Sequence, residues 1–194
     1  MKRVIVITLC TLLIMLSACS SSPAETSLSS EVSEVVDAPK INEYGIKLSI
    51  DDFESMFNEA ADGKYIMSEI KLRNDRNGNS TIISQDGTEI SFSIIVENGN
   101  IIDMDFSKIC SEKEEEIYVE AASEIFKIAW NVFYPNYDMR SLDEIINKLR
   151  YSEDIQLLED LYVSFGNISE LDDNRYISWG ITSIKFHNKL WNID

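Results

Sequence analysis

The side chains of this 194-residue sequence that chemistry would draw on first are three cysteines, a single histidine and 34 carboxylates. The three thiols differ in what surrounds them. Cys10 lies inside an otherwise apolar segment, Val4 to Leu16, broken only by Thr8 and Thr11. Lys2 and Arg3 stand before that segment, and Leu16-Ser17-Ala18-Cys19 closes it. A cysteine is useful at such a boundary because its thiolate is a strong nucleophile. Cys110 is flanked by Lys108, Ile109 and Glu112, with no His or Asn arranged to activate it. It reads as a structural residue.

Taken in order, the basic start, the apolar run and Leu16-Ser17-Ala18-Cys19 resemble the signal peptide and lipobox of bacterial lipoproteins. The run is too short to cross a bilayer as a helix. The resemblance covers residues 1–19. It implies that a transferase places diacylglycerol on the Cys19 thiol. A peptidase then cuts between Ala18 and Cys19, which becomes the new N-terminus. One acyl chain binds a membrane reversibly, whereas two hold it stably. The expected location is therefore the extracytoplasmic face of the cell membrane, with the lipid bilayer as first partner through the Cys19 acyl chains. In a Gram-negative cell, Ser20 after the lipidated residue is similar to lipoproteins sorted onward to the outer membrane. Residues 1–18 are expected to be the cleaved leader and 19–39 a tether.

The tether expectation rests on composition. Ser20, Ser21, Ser22, Pro23, Ser27 and Ser29 crowd its start, and no aromatic residue appears in it before Tyr44. Such a segment buries too little apolar surface to offset the entropy of ordering. About twenty flexible residues reach roughly 25 Å. Glu25, Glu31, Glu34 and Asp37 add negative charge to it. The whole chain has a formal net charge of -17, and two of its few cations, Lys2 and Arg3, leave with the leader. A balance so acidic argues against nucleic acid, whose phosphates need Lys and Arg. It argues equally against a body lying flat on anionic lipid. With Cys10 removed and Cys19 lipidated, Cys110 has no intramolecular partner, so packing rather than a disulfide must hold the domain together.

Metal and catalytic sites find little support, and no cofactor is expected. Zinc needs three or four Cys, His or carboxylate ligands, and only His187 and Cys110 remain to supply the nitrogen and sulfur. Asp75-Arg76-Asn77-Gly78-Asn79 has the look of a calcium loop, but its glycine falls at the fourth position instead of the sixth. A polar turn is the simpler reading. Asp103 and Asp105 share one strand face and, with Ser91 or Ser93, offer weak cation ligands; a solvated sheet face explains them as well. No Gly-x-Ser-x-Gly elbow is present, and His187 sits between Phe186 and Asn188 near the chain end, far from a recognisable triad. No catalytic and no metal-binding residue is assigned. Tyr176, Trp179, Phe186 and Trp191 are either a sugar- or peptide-binding platform or core and edge packing.

The elements that would carry these residues are legible from punctuation and period. Ser49-x-x-Asp52 opens a helix with Phe53, Met56, Phe57 and Ala60 at helical spacing, and Gly63 closes it. Tyr65 to Leu72 alternates as one strand, followed by a turn cluster from Asn74 to Asn79. Asp86-Gly87 and Asn98-Gly99 are hairpin turns. They separate Thr81–Gln85, Thr88–Glu97 and Asn100–Phe106, in which Ile90, Phe92, Ile94 and Val96, and Ile102, Met104 and Phe106, face inward. Ser111-x-x-Glu114 starts a long helix to about Phe133, with Tyr118, Ala122, Ile125, Ala129 and Val132 inward and Pro135 after it. Ser141-x-x-Glu144 is expected to cap another helix. Ile155 to Leu161 is ambiguous between helix and strand. Leu161–Asn167 and Tyr176–His187 read as strands about a turn at Glu170–Asn174.

The expected fold is a single α+β domain over residues 40–194. It is an antiparallel β-meander sheet of five or six strands with helices packed on one face. The likeness of Ser49–Phe53 to Ser141–Ile145 raises a degenerate duplicated helix-sheet unit, which resembles the β-lactamase-inhibitor-like and TATA-binding-like architectures. The expected function is a binding module of the bacterial cell envelope, with an unknown envelope protein or small ligand as partner and no enzymatic activity. The alternatives are an envelope hydrolase using paired carboxylates and a small solute-binding lipoprotein.

Overall fold

A computed structural model of the chain describes residues 38–152, 155–171 and 173–193. Ala18, Cys19, the leader and most of the tether lie outside the described residues. In chain order the elements are β1 (Lys40–Asn42), β2 (Gly45–Lys47), α1 (Ile50–Ala60), β3 (Tyr65–Met67), β4 (Lys71–Arg73), β5 (Asn77–Ser84), β6 (Glu89–Glu97) and β7 (Asn100–Ser111). A 3-10 turn at Glu112–Glu114 then leads into α2 (Glu115–Phe133), α3 (Met139–Ser152), β8 (Ile155–Leu158), β9 (Leu161–Leu171), β10 (Asn174–Ser183) and α4 (Ile184–Trp191). The fold is α+β, as expected, but the sheet has ten strands where five or six were expected.

The main path across the sheet is β3-β5-β6-β7-β10-β9-β8, and every pairing is antiparallel. The order is symmetric: β5-β6-β7 and β8-β9-β10 are each a meander, and their last strands meet at the centre. Asn98-Gly99 makes the β6–β7 turn with both residues at positive φ, as the dipeptide demands. The β1–β2 hairpin joins the far end of β7 through Ile46 opposite Ile101. Gly45 fits there because a Cβ would stand 2.3 Å from the Ile101 carbonyl oxygen, and its φ is +122°.

Alternation divides each strand between two faces. Ile90, Phe92 and Ile94 of β6, Met104 and Phe106 of β7, and Ile177, Trp179 and Ile181 of β10 are buried beneath helices. Helix α2 lies over this face, packed between α1 and the central strands. That position explains why burial covers a broad arc, from Ala122, Ile125 and Ala129 to Phe126, Trp130 and Phe133. The core has two aromatic clusters. Phe53 stacks on Phe92 and Phe133 with centroids 5.7 and 5.6 Å apart, and Phe92 meets Phe106 at 5.1 Å. In the other half, Trp179 meets Phe126 at 4.9 Å and Phe165 at 4.8 Å. The Trp179 indole N–H donates to Ser123 Oγ at 3.1 Å, and that hydroxyl donates to the Val119 carbonyl at 2.6 Å, so this buried polar pair is satisfied.

Capping follows the sequence at two helices and departs at two. Ser49 Oγ accepts from Asp52 N–H at 3.0 Å. The Glu114 carboxylate accepts from Ser111 N–H at 3.2 Å and from its hydroxyl at 2.6 Å. Helix α3 begins earlier than expected: Asp138, not Ser141, accepts from Arg140 N–H at 3.1 Å and from the Ser141 hydroxyl at 2.8 Å. The expected strand Tyr176–His187 ends at Ser183, whose hydroxyl caps α4 through Phe186 N–H. Tyr65 to Leu72 is two strands. Tyr65 and Met67 point inward, Ser68–Ile70 breaks the ladder, and Ile70 resumes burial out of phase. Gly78 of the expected turn cluster lies already within β5. A Cβ there would meet Ile70 and Ile94 methyls at 2.7 Å, so the glycine admits core side chains and is not part of an ion loop.

Phe106 touches Phe92 and stands opposite Trp179 across the central ladder. Phe106→Ala is expected to cost about 3–5 kcal/mol, as for other buried aromatics. A urea titration should show a lower midpoint with an unchanged slope.

Candidate functional site

The face of the sheet turned away from α1, α2 and α3 is built from the other set of alternating residues. Register aligns them into rows. One row runs Asn79, Ser93, Asp105, Gly180, Ser164 across β5, β6, β7, β10 and β9. The next runs Thr81, Ser91, Ser107, Ser178, Gly166 across the same strands. These ten positions hold hydroxyls, an amide, a carboxylate and two glycines, and no large apolar side chain. Gly180 is small of necessity, since a Cβ would lie 2.7 Å from Ser164 Oγ. The face is thus polar and low in relief at its centre.

Asp103 and Asp105 project onto this face, as their alternation required, and both are held within it. Asp105 accepts from Ser178 Oγ and, at 3.3 Å, from the Tyr176 hydroxyl. Asp103 accepts from Thr182 Oγ1 at 2.7 Å. Burial pushes the Asp103 carboxyl up to about 6; the Thr182 hydrogen bond acts in the opposite sense, and the neighbouring Asp105 adds to the rise. Among the described residues no group of three or more His, Cys or carboxylate side chains converges as a metal site would need.

His187 and the aromatic residues separate into different roles. Trp179 is core. Tyr176 lies on the polar face, half-buried. His187 on α4 is buried, its ring stacked on Tyr162 at 3.9 Å, with Trp191 6.3 Å away on the same helix. Its Nδ1 lies 3.4 Å from Asn188 Oδ1, and Nε2 has no protein partner among the described residues. No nucleophile stands in that arrangement. Cys110 is buried near the end of β7. Burial pushes its thiol pKa up, and Glu114 and Glu115 add to the rise, the reverse of an activated cysteine.

The helix side carries a depression of about 680 Å³ between α2, α3 and the β3–β5 edge. Four of its charged side chains are paired with one another. Glu124 binds Lys64 Nζ at 2.7 Å and accepts from the Tyr65 hydroxyl at 2.8 Å, while Lys127 pairs with Asp143. The Lys64 contact holds the Glu124 carboxyl below its ordinary value, and burial, with Glu124 beside it, holds the Tyr65 hydroxyl well above its own. Asp103 is not among the residues lining this cleft.

No family model, no curated protein and no solved structure matches this chain. Cys19 and Ala18, where the sequence places the lipid and the cut, lie outside the described residues. Among those described, no helix is long and apolar enough to cross a membrane. The polar rows were half visible beforehand. Ser91, Ser93, Asp103 and Asp105 declare their face through alternation, but Ser164, Ser178 and Gly180 join them only through the β7–β10 and β10–β9 registers.

The Asp103 shift sets a pH dependence. Its folded value lies above the unfolded one, so the native state binds the extra proton between about pH 4 and pH 6, and stability falls as pH rises through that window. A rise from 3.8 to about 6 corresponds to about 3 kcal/mol at about 1.4 kcal/mol per unit. Asp103→Asn keeps an acceptor for Thr182 and is expected to raise stability near neutral pH by up to about 3 kcal/mol. Urea titrations at about pH 4 and about pH 7 check it. An unchanged pH slope in the variant would mean that Asp103 is not desolvated in solution.

Proposed function

We propose that this protein is a membrane-anchored extracytoplasmic lipoprotein of the bacterial cell envelope, and that its α+β domain is a binding module. The lipobox-like Leu16-Ser17-Ala18-Cys19 supports the anchor. The observation that carries the binding half is the polar sheet face, with two rows of hydroxyls, amide and carboxylate crossing five strands. A sheet fixes its side chains more rigidly than a loop does, so such a face offers hydrogen-bonding groups at set spacing with little ordering cost. Acceptors predominate through Asp103 and Asp105, which favours a polar partner rich in N–H donors or positive charge. An envelope protein meets that description.

Two measurements test the two halves. Cys19→Ser is expected to lose the mass of the lipid and to move the protein out of the membrane fraction; retention there would refute the anchor. For the face, Ser91→Arg and Ser93→Arg place bulk and positive charge in the rows at positions open enough to tolerate them. Each is expected to abolish capture of a partner from solubilised envelopes of the source cell while leaving the thermal midpoint unchanged. Glu120→Arg on the helix side is expected to leave capture intact. If the face variants capture as well as the wild type, the binding surface lies elsewhere.

A further inference from the structure

The two edges of the sheet are finished differently. At the β3 edge, Asn58 of α1 fills the place of a neighbouring strand. Its Oδ1 accepts from Met67 N–H at 2.7 Å, and its Nδ2 donates to the Met67 carbonyl at 3.2 Å. The other edge is β8, Ile155-Gln156-Leu157-Leu158, which among the described residues pairs with β9 alone. A two-residue turn, Glu159-Asp160, joins the two strands and sets Leu158 opposite Leu161. The pair beside such a turn exchanges its hydrogen bonds, and the exchange alternates along the strand. Gln156 and Leu158 therefore turn their main chain to β9, whereas Ile155 and Leu157 turn N–H and C=O outward. Among the described residues no hydrogen bond from outside the ladder reaches those four groups. Nothing that usually blunts an edge is present in β8: it has no lysine, no proline and no register shift against β9.

The side chains along this edge are apolar. Ile155 and Leu157 lie on the face of the polar rows, Ile155 beside Ser164 and Leu157 beside Tyr162, and they are 41 and 51% exposed. Helix α4 meets that end of the face where His187 stacks on Tyr162. Ile155, Tyr162, His187, Trp191 and Ile193 line a shallow hollow of about 440 Å³, with no carboxylate, Lys or Arg among them. His187 Nε2 is buried without a protein partner among the described residues, a state that a bound group would relieve. Charge gathers just outside. Glu159 and Asp160 are exposed at the turn, and among the described residues neither is paired with a cation. Resting on the binding reading above, we propose that β8 receives an extended segment of a partner protein, with apolar side chains at alternate positions and Lys or Arg flanking them. Its main chain exchanges hydrogen bonds with Ile155 and Leu157. Its apolar side chains lie beside theirs and in the hollow next to Trp191, and its cations meet Glu159 and Asp160. A second copy is a poorer occupant, since it brings its own Glu159 and Asp160 and a formal net charge of -17 to the same edge.

The full-length chain is titrated with two fluorescein-labelled, amidated peptides, Lys-Lys-Val-Thr-Val-Thr-Val-Lys-Lys and the same sequence with Glu in place of Lys. Binding is read by anisotropy, and amide hydrogen exchange is followed from Ile155 to Leu158. The lysine peptide is expected to bind about tenfold or more tighter than the glutamate peptide, and less tightly as salt is raised. It should slow exchange at Ile155 and Leu157 by about tenfold or more and leave Gln156 and Leu158 unchanged, because only the first two amides face the added strand. Leu157→Pro removes one outward N–H and no bond to β9. The thermal midpoint is expected to hold while peptide affinity falls by about tenfold. Ile155→Lys, which leaves the main chain intact, is expected to weaken the lysine peptide to a similar degree by repulsion and lost apolar contact. Protection of Ile155 and Leu157 before any peptide is added overturns the proposal. A segment of the chain itself covers the edge if that protection is independent of protein concentration, and a second copy does if it grows with concentration. Peptide binding that leaves both amides exchanging freely places the contact elsewhere and overturns it too. Capture of an envelope partner with no protection of these amides by the peptide removes the edge and leaves the binding reading standing. Protection by the peptide with no capture leaves the edge standing and removes that reading.

Discussion

Strands β7 and β10 pair from Ser111 opposite Asn174 to Asp103 opposite Thr182, and between them in the chain lie all of α2, α3, β8 and β9. This ladder joins the two meanders, with α2 lying across both halves. On its helix side it sets Phe106 opposite Trp179, so the aromatic cluster around Phe53 and Phe92 abuts the one around Phe126 and Phe165. On its other side it sets Asp105 opposite Gly180 and Ser107 opposite Ser178, which completes the polar rows. Core and candidate surface are thus two readings of one register, and a slip of a single residue would exchange them. The ladder is also the costliest contact to form, because a long loop must close before any of its bonds are made. Arg175 fastens its distal end by binding Glu112 at 2.9 Å and Glu115 at 3.3 Å, at the root of α2.

The rows are polar and for the most part half-exposed, but solvent alone does not explain Asp103. A carboxylate on an open sheet face keeps its hydration, whereas Asp103 is desolvated enough for its pKa to climb. Thr182 returns one hydrogen bond for what burial takes away. Asp105 does better, with two hydroxyl donors from Ser178 and Tyr176. Strained acceptors of this kind gain most from a partner that brings donors to them, which is the physical reason the face suits a donor-rich ligand better than an apolar one.

The parts of the fold written in local rules were legible in the sequence. Asn98-Gly99, the Ser49 and Ser111 caps, and the alternation of Ile90-Phe92-Ile94 and Met104-Phe106 each depend on residues a few positions apart, whereas a register shift opposite Ile95 and Val96 puts Ile101, not the expected Ile102, into the main core. What escaped depends on contacts between distant segments. Gly78 looked like a turn residue, and only the neighbouring Ile70 and Ile94 methyls explain it. The break at Ser68–Ile70 is tied to α1, since Ile70 N–H donates to Glu54 and Met67 N–H to Asn58. Helix α4 was hidden because Ser183-x-x-Phe186 lacks the acidic residue of a capping box, while Ile181 to Phe186 fits a strand as well as a helix. In the candidate site, two strands announced their polar face and the lateral neighbours did not, because register is a property of pairs.

Among the described residues the one cysteine, Cys110, is unpaired, so stability must come from packing, and here the helix side supplies it. Phe53, Phe92, Phe106, Phe126, Trp130, Phe133 and Trp179 are all among the fully buried side chains. Aromatic rings bury large areas with few rotatable bonds, so each loses little side-chain entropy for the surface it removes from water. Cys110 belongs to the same economy: its buried thiol, held protonated beside Glu114 and Glu115, packs as a small apolar group and is poorly placed to be oxidised. With cohesion concentrated under α1, α2 and α3, the opposite face is released from packing duty. It can carry serine, glycine and aspartate at its centre, and a lysine- and tryptophan-bearing helix at its edge, without loosening the core.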